Sequence, residues 1–214
     1  MTPRQLKELI NEGESTVLEF KRKLSSPQKI AREIASFANT KGGTLLVGVD
    51  DNGDIYGIES EKEEIETIEL ACEFEIFPSV VPEIEIINIY DKDVLAITIY
   101  ESLTKPHLIY IEEDGKKIRR AYIRVGEQTL MASREMYRLL SEMSPKSRPL
   151  KIAIGDREKR LFDYLEVHTR CTVKDFANLV NISDRRAERL LISLVRAKVI
   201  QIHNDSSHDY FTLL

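Results

Sequence analysis

The sequence predicts an α+β protein with a mixed sheet and helices, followed by a small, mostly helical second domain. Three observations carry this. Over the first two thirds of the chain, apolar periods of 3.6 and of 2 are intermixed rather than strictly alternating, which favours layered α+β over a doubly wound parallel sheet. The stretch Ser144-Pro145-Lys146-Ser147-Arg148-Pro149 then interrupts the pattern with prolines and serines. The charge also changes sign there: residues 1–144 carry 18 basic and 27 acidic side chains, residues 145–214 carry 13 and 9. Domains at 1–143 and 150–214 follow, with 144–149 as linker.

Element by element, Thr2-Pro3-Arg4-Gln5 offers an N-cap, a proline at the first helical position and a capping-box glutamine, and Leu6, Leu9 and Ile10 give a helical stripe that stops at Gly13. Residues 16–21 alternate, so Leu18 and Phe20 share one face of a strand while Glu19 and Lys21 project side by side from the other. Ser26-Pro27 opens a second helix with a broad face of Ile30, Ala31, Ile34, Ala35, Phe37 and Ala38, closed by Gly42-Gly43. A buried strand at 44–49, a turn at Asp50-Asp51-Asn52-Gly53-Asp54 and a short strand at 55–58 come next. Ser60-Glu61-Lys62-Glu63 reads as a capping box opening an acidic helix. Two hairpins follow, 83–90 with 94–100 and 108–111 with 118–125, and a closing helix runs over 133–143.

The second domain reads as a helix with Leu161, Phe162 and Leu165, a short helix capped by Thr172, a turn at Asn181-Ile182, and a third helix from Ser183. In this last helix Ala187, Leu190, Leu191, Leu194 and Val195 fall on one face, leaving Arg185, Arg186, Arg189, Ser193 and Arg196 outward. Strands at 199–203 and 210–214 flank a polar turn. That order is a winged helix-turn-helix, which places its third helix in the major groove of duplex DNA, where arginines reach base edges and phosphates. Glu188 on the same helix opposes strong non-specific affinity.

Composition excludes several classes. With 214 residues, 42% of them apolar, two cysteines and no tryptophan, the chain is neither disordered nor a disulfide scaffold. Its longest apolar run, at 44–49, is far below the roughly 18 residues of a membrane span, and the N-terminus has no signal-peptide core, so a cytoplasmic protein with no membrane partner is expected. Cys72 and Cys171 are expected as reduced, partly buried thiols, and a cysteine-based zinc site is excluded within one chain. Gly42-Gly43 lacks the Gly-Lys-Ser/Thr ending and the strand-before, helix-after order of a phosphate loop, so no ATP site is expected. The four histidines show no ligand spacing.

Two clusters could carry chemistry. Glu14, Glu19, Lys21 and Asp50 or Asp51 can converge at one sheet edge, where three carboxylates could hold Mg²⁺ or Mn²⁺ for phosphodiester cleavage with Lys21 beside the phosphate. The same residues also suit an ordinary turn and a surface ion pair. Arg120, Tyr122 and Arg124 share one face of a basic strand, suited to a phosphate backbone with one stacked base, or simply to balancing the acidic surplus of the domain.

Glu14-Ser15-Thr16-Val17-Leu18-Glu19-Phe20-Lys21, then Ala35-Ser36-Phe37-Ala38-Asn39-Thr40-Lys41-Gly42-Gly43, Gly48-Val49-Asp50-Asp51-Asn52-Gly53 with Gly57, and Tyr122-Ile123-Arg124-Val125-Gly126 with Thr129 together resemble the Schlafen AlbA-type domain, formerly labelled divergent AAA. The resemblance spans residues 10–135. It implies a nucleic-acid-binding α/β domain, followed in many prokaryotic members by a winged helix in transcription regulators. In animal Schlafens a related domain is a metal-dependent endoribonuclease acting on tRNA and rRNA. By motif its acidic triad falls on Glu14, Glu19 and Asp51, with Asp50 as the other register. Those proteins use two such lobes and a Cys/His zinc site, whereas this chain has one lobe and cannot make that site; a homodimer could restore the groove. The first reading is therefore a dimeric DNA-binding transcription regulator. The second is a Mg²⁺- or Mn²⁺-dependent endoribonuclease on tRNA or other structured RNA, with catalytic Glu14, Glu19, Asp51 and Lys21.

Overall fold

The computed structural model describes residues 1–144, 150, 154–204 and 208–214. It divides into two compact units, Met1–Ala132 and Ser133–Leu214. Residues 145–149 of the expected linker and the turn residues 205–207 lie outside the described residues.

The first unit holds two sheets. Strands β1 (Leu18–Lys21), β2 (Gly43–Val47), β4 (Glu83–Ile89) and β5 (Lys92–Ile99) form one in the order β1-β2-β5-β4, and β3 (Ile76–Phe77), β6 (Leu108–Glu113), β7 (Lys116–Val125) and β8 (Gln128–Met131) form the other in the order β3-β6-β7-β8. Only β1 and β2 run parallel, because helix α2 (Pro27–Asn39) supplies the crossover that parallel neighbours require. The sheet is therefore mixed, and the fold is α+β.

Alternation on the first sheet sends Leu18, Phe20 and Leu46 toward helix α1 (Pro3–Glu12) with its buried Leu6, while Leu45, Val47, Leu95 and Ile97 pack with α2. Helix α2 starts at the Ser26 cap and is apolar around most of its circumference, because its other side packs on the second sheet. Its last residue is a clamp. The fully buried Asn39 amide donates to the carbonyls of His107 and Tyr122, both at 2.9 Å, and its carbonyl accepts the His107 N–H at 2.7 Å. Helix α3 (Glu61–Leu70) runs into a π-helical turn at Ala71–Glu75, and Ser60 caps it through the Glu63 N–H.

Three local expectations need correction. Residues 55–58 are not a strand: only Val49 and Ile55 pair, and the Gly48 carbonyl instead accepts the N–H groups of both Tyr56 and Gly57. The first hairpin turns at Tyr90 and Asp91, both with positive φ, so Lys92 and Asp93 belong to β5. Strand β8 pairs with β7 where no strand is expected, since four residues after Gly126 show little alternation.

The second unit comprises α4 (Arg134–Met143), α5 (Asp156–His168), α6 (Val173–Val180), α7 (Asp184–Arg196), β9 (Ile200–Asn204) and β10 (Asp209–Leu213). Leu161, Leu165, Phe176, Ala187, Leu191, Leu194 and Phe211 fill its core. Thr172 and Asp175 complete a capping box, whereas Ser183 sits at the N-cap of α7 without a side-chain bond to it. Helix α4, expected to close the first domain, packs on α7, and the second compact unit begins at Ser133. Cys72 and Cys171 are free and buried, and desolvation pushes both thiols up to about 12, which keeps them unreactive. Among the described residues no helix is long and apolar enough to cross a membrane.

Two outcomes follow. Gly42 has φ +73°, and a Cβ there would lie 2.6 Å from the Ile99 carbonyl, whereas Gly126 at φ +59° has open space. Gly126→Ala should cost only the roughly 1–2 kcal/mol of left-handed strain, and Gly42→Ala clearly more, as urea denaturation would read; equal losses would contradict the close approach. Burial holds the His107 imidazole below its ordinary 6.5, outweighing the Pro78 carbonyl that accepts from Nδ1. The unfolded chain then takes up the proton first, so stability is complete above pH 6.5 and falls as pH drops below it. In His107→Gln that part of the slope of melting temperature against pH should vanish.

Candidate functional site

Parallel pairing sets Lys21 opposite Val47, so the ends of β1 and β2 emerge side by side. This brings Glu14, Glu19, Lys21 and Asp51 within electrostatic reach of one another. Burial raises the Glu14 carboxyl above its ordinary value, the Phe20 N–H donated at 2.9 Å opposes this, and the charges of Glu19 and Asp51 add to the rise while Lys21 counters it. The Lys21 ammonium is raised as well: burial works against it, but the hydrogen bond and charge of Glu19, then Glu33 and Glu14, outweigh that.

Glu19 is not at an open edge. It is buried, one oxygen accepts from Lys21, and the other accepts from Arg124 Nη1 at 2.8 Å. The same guanidinium reaches Glu33 at 3.3 Å, Thr129 Oγ1 at 3.2 Å and the Ser15 carbonyl at 2.8 Å, and lies over the Phe37 ring at 4.8 Å. Thr129 in turn bonds Glu33 and Ser36. Sequence reasoning missed Glu33 and Thr40, whose hydroxyl takes the Arg124 N–H, because contacts across more than 80 positions leave no local signal. A divalent ion would have to enter where a guanidinium already neutralises Glu19. Among the described residues no three His, Cys, Asp or Glu side chains are grouped to hold a metal. Glu19 and Glu33 belong to an ion-pair network with Lys21 and Arg124.

The β7 face expected to meet a nucleic acid is buried at Arg124 and partly exposed at Arg120. Arg124 has no exposed side chain, Tyr122 is half-buried with Arg32 5.6 Å from its ring, and Arg120 pairs with Glu113 at 2.7 Å. The cause is α2, which covers this side of the second sheet.

On α7, Arg185, Arg186 and Arg189 are exposed as expected. Glu188 is not among them: it is buried, with Arg138 of α4 at 2.5 Å. Arg196 is half-buried and donates to Glu142 of α4 at 3.2 Å. Helix α4 thus covers Glu188, and the exposed part of α7 carries Arg185, Arg186 and Arg189 with Asp184 in the first turn.

The family description Schlafen, AlbA_2 matches residues 14–133, and the chain belongs to that family. Among solved structures it is similar to the DIP2311 protein of Corynebacterium diphtheriae, with 22% identity over 69% of this chain and 34% of that one and a TM-score of 0.47. It is also similar to the N-terminal domain of a RecG-related protein of Nitrosomonas europaea, with 25% identity over 60% of this chain and 91% of that one and a TM-score of 0.44. The chain spans about a third of the length of the first.

Removing one member of the buried pair strands the other. Arg124→Ala should cost about 3–5 kcal/mol in denaturant unfolding, and pairing it with Glu19→Met should recover much of that loss. A single-variant loss below about 1 kcal/mol, the value of an exposed pair, would mean that the network does not hold the unit together.

Proposed function

We propose that this protein is a nucleic-acid-binding regulator whose second unit is a winged helix-turn-helix holding duplex DNA through α7. The observation that carries the reading is the burial of Glu188 against Arg138, which leaves Arg185, Arg186 and Arg189 on a face without an exposed acid from the middle of the helix. Arg185, Arg186 and Arg189 outnumber the single exposed acid of the helix, Asp184 in its first turn, and the arginine forks suit both phosphate and guanine edges. The order α5, α6, α7, β9, β10 supports the assignment, as does membership of a family whose resemblance implies nucleic-acid binding. The first unit would then serve to sense a ligand, to assemble copies of the chain, or to engage a second nucleic acid.

The test is anisotropy of a labelled duplex titrated with the full chain at several salt concentrations. Arg186→Ala with Arg189→Ala should weaken binding at least tenfold and lower the log–log salt slope by roughly 0.9 for each phosphate no longer neutralised. Unchanged affinity and slope would remove α7 from the interface. In a parallel arm with labelled tRNA and Mn²⁺, cleavage that Glu19→Gln abolishes would replace this reading with the nuclease.

A further inference from the structure

The first unit carries a large acidic excess, yet two cations converge on one exposed tyrosine without a counter-charge. The Arg22 guanidinium lies 3.8 Å from the centroid of the Tyr56 ring, and Lys92 Nζ lies 5.9 Å from the same centroid. Each cation is therefore inside the other's screening length of about 10 Å. Among the described residues neither makes an ion pair, although carboxylates are plentiful along these segments. Glu59 is drawn to Lys23 at 3.9 Å, and Asp93 accepts from the Asn88 amide at 2.8 Å. Tyr56 is 43% exposed, so its ring is not a core residue that happens to be roofed by charge.

The backbone holds this arrangement in place. The Gly48 carbonyl accepts from Tyr56 at 2.8 Å and Gly57 at 2.9 Å, the Ile58 N–H donates to Asp93, and Lys92 Nζ donates to the Ile55 carbonyl at 2.6 Å. Gly57, at φ +79°, lets the segment approach so closely that a Cβ there would sit 2.9 Å from Lys92 Cβ. Two like charges are thus kept near each other, with the Ile55 carbonyl and the Tyr56 ring as their partners and no carboxylate in an ion pair with either among the described residues. What such a pair lacks is an anion, and the exposed Tyr56 ring with Arg22 3.8 Å from its centroid offers a surface to a flat base. A phosphodiester flanked by an unpaired base satisfies both at once, whereas a duplex hides its base faces.

We propose that Arg22, Lys92 and Tyr56 form a binding patch for single-stranded nucleic acid, in which the two cations take a backbone phosphate and the Tyr56 ring takes a base. This patch is separate from α7 and does not rest on the duplex-binding reading. It also differs from the β7 face, whose arginines are internally paired.

The measurement is anisotropy of labelled oligo-uridylate and oligo-deoxythymidylate with the full chain, across a salt series. The double variant Arg22→Gln, Lys92→Gln should weaken binding at least fivefold and flatten the salt slope by roughly 0.7 for each single-strand phosphate no longer neutralised. Tyr56→Ala should weaken it between roughly fivefold and a hundredfold, as loss of one base stack does, while Tyr56→Phe should bind like the parent. In the background of the α7 variants Arg186→Ala and Arg189→Ala the Arg22, Lys92 and Tyr56 changes should weaken single-strand binding by the same factors. No single-strand binding by the parent protein, full binding by the Arg22 and Lys92 variant, or disappearance of its effect in the α7 background would each overturn the proposal. Because all three side chains are exposed, melting temperatures close to the parent's are expected. If Tyr56→Ala alone melts early, the charge variant decides.

Discussion

The first unit is organised around one buried cation. Arg124 stands on β7 in the second sheet, yet its charge is answered by Glu19 on β1 in the first and by Glu33 on α2 between them. Taking a guanidinium and a carboxylate out of water costs several kcal/mol per ion, which their attraction offsets only with good geometry and further hydrogen bonds. Here the Ser15 carbonyl and Thr129 hydroxyl supply such bonds. The net gain in stability is small, but the arrangement is selective: a sheet packed on α2 in another register would leave an uncompensated charge in the interior. The Asn39 clamp at the end of the same helix acts in the same direction through neutral groups.

This network also explains why an acidic motif and a basic motif far apart in sequence need not be two surface features. Lys21 and Glu19 project together from β1, as a period of two demands, but into the side of the sheet that α2 and β7 cover. Glu14, raised by burial, stands at the margin of the network, with Asp51 more exposed beyond it. The charges left for outside partners are others. Arg22 follows the strand and escapes the cover, and it finds Tyr56 rather than an acid.

In the second unit a comparable pairing has the opposite effect on the surface. Glu188 would dilute the positive field of α7 if it faced water, but α4 buries it beneath Arg138. The result is a helix whose one exposed acid is Asp184 at its start, against Arg185, Arg186 and Arg189. This depends on helix α4, at Arg134–Met143, so it is a property of the assembled unit and not of the stretch 150–214 alone.

The amino-acid sequence by itself determined most helices, most strands and the two separate charge balances. Caps such as Thr2, Ser26 and Thr172, glycine stops and apolar periods act within a few residues, and they are legible wherever local chemistry decides. The motif residues Glu14, Glu19, Asp51 and Arg124 were legible as a set, and so was the exposed row Arg185, Arg186 and Arg189. Tertiary structure alone decided which of these charges reach solvent. Arg124 and Glu188 are buried while Arg22 and Arg189 are not, because a charged side chain in a strand or helix reads the same locally whether a partner from a distant segment covers it or water does. The affiliation of α4 follows the same logic: its amphipathic face fits either unit by pattern, and contacts with distant residues, among them Arg138–Glu188, Glu142–Arg196 and Ser133–Asp209, place it with α7.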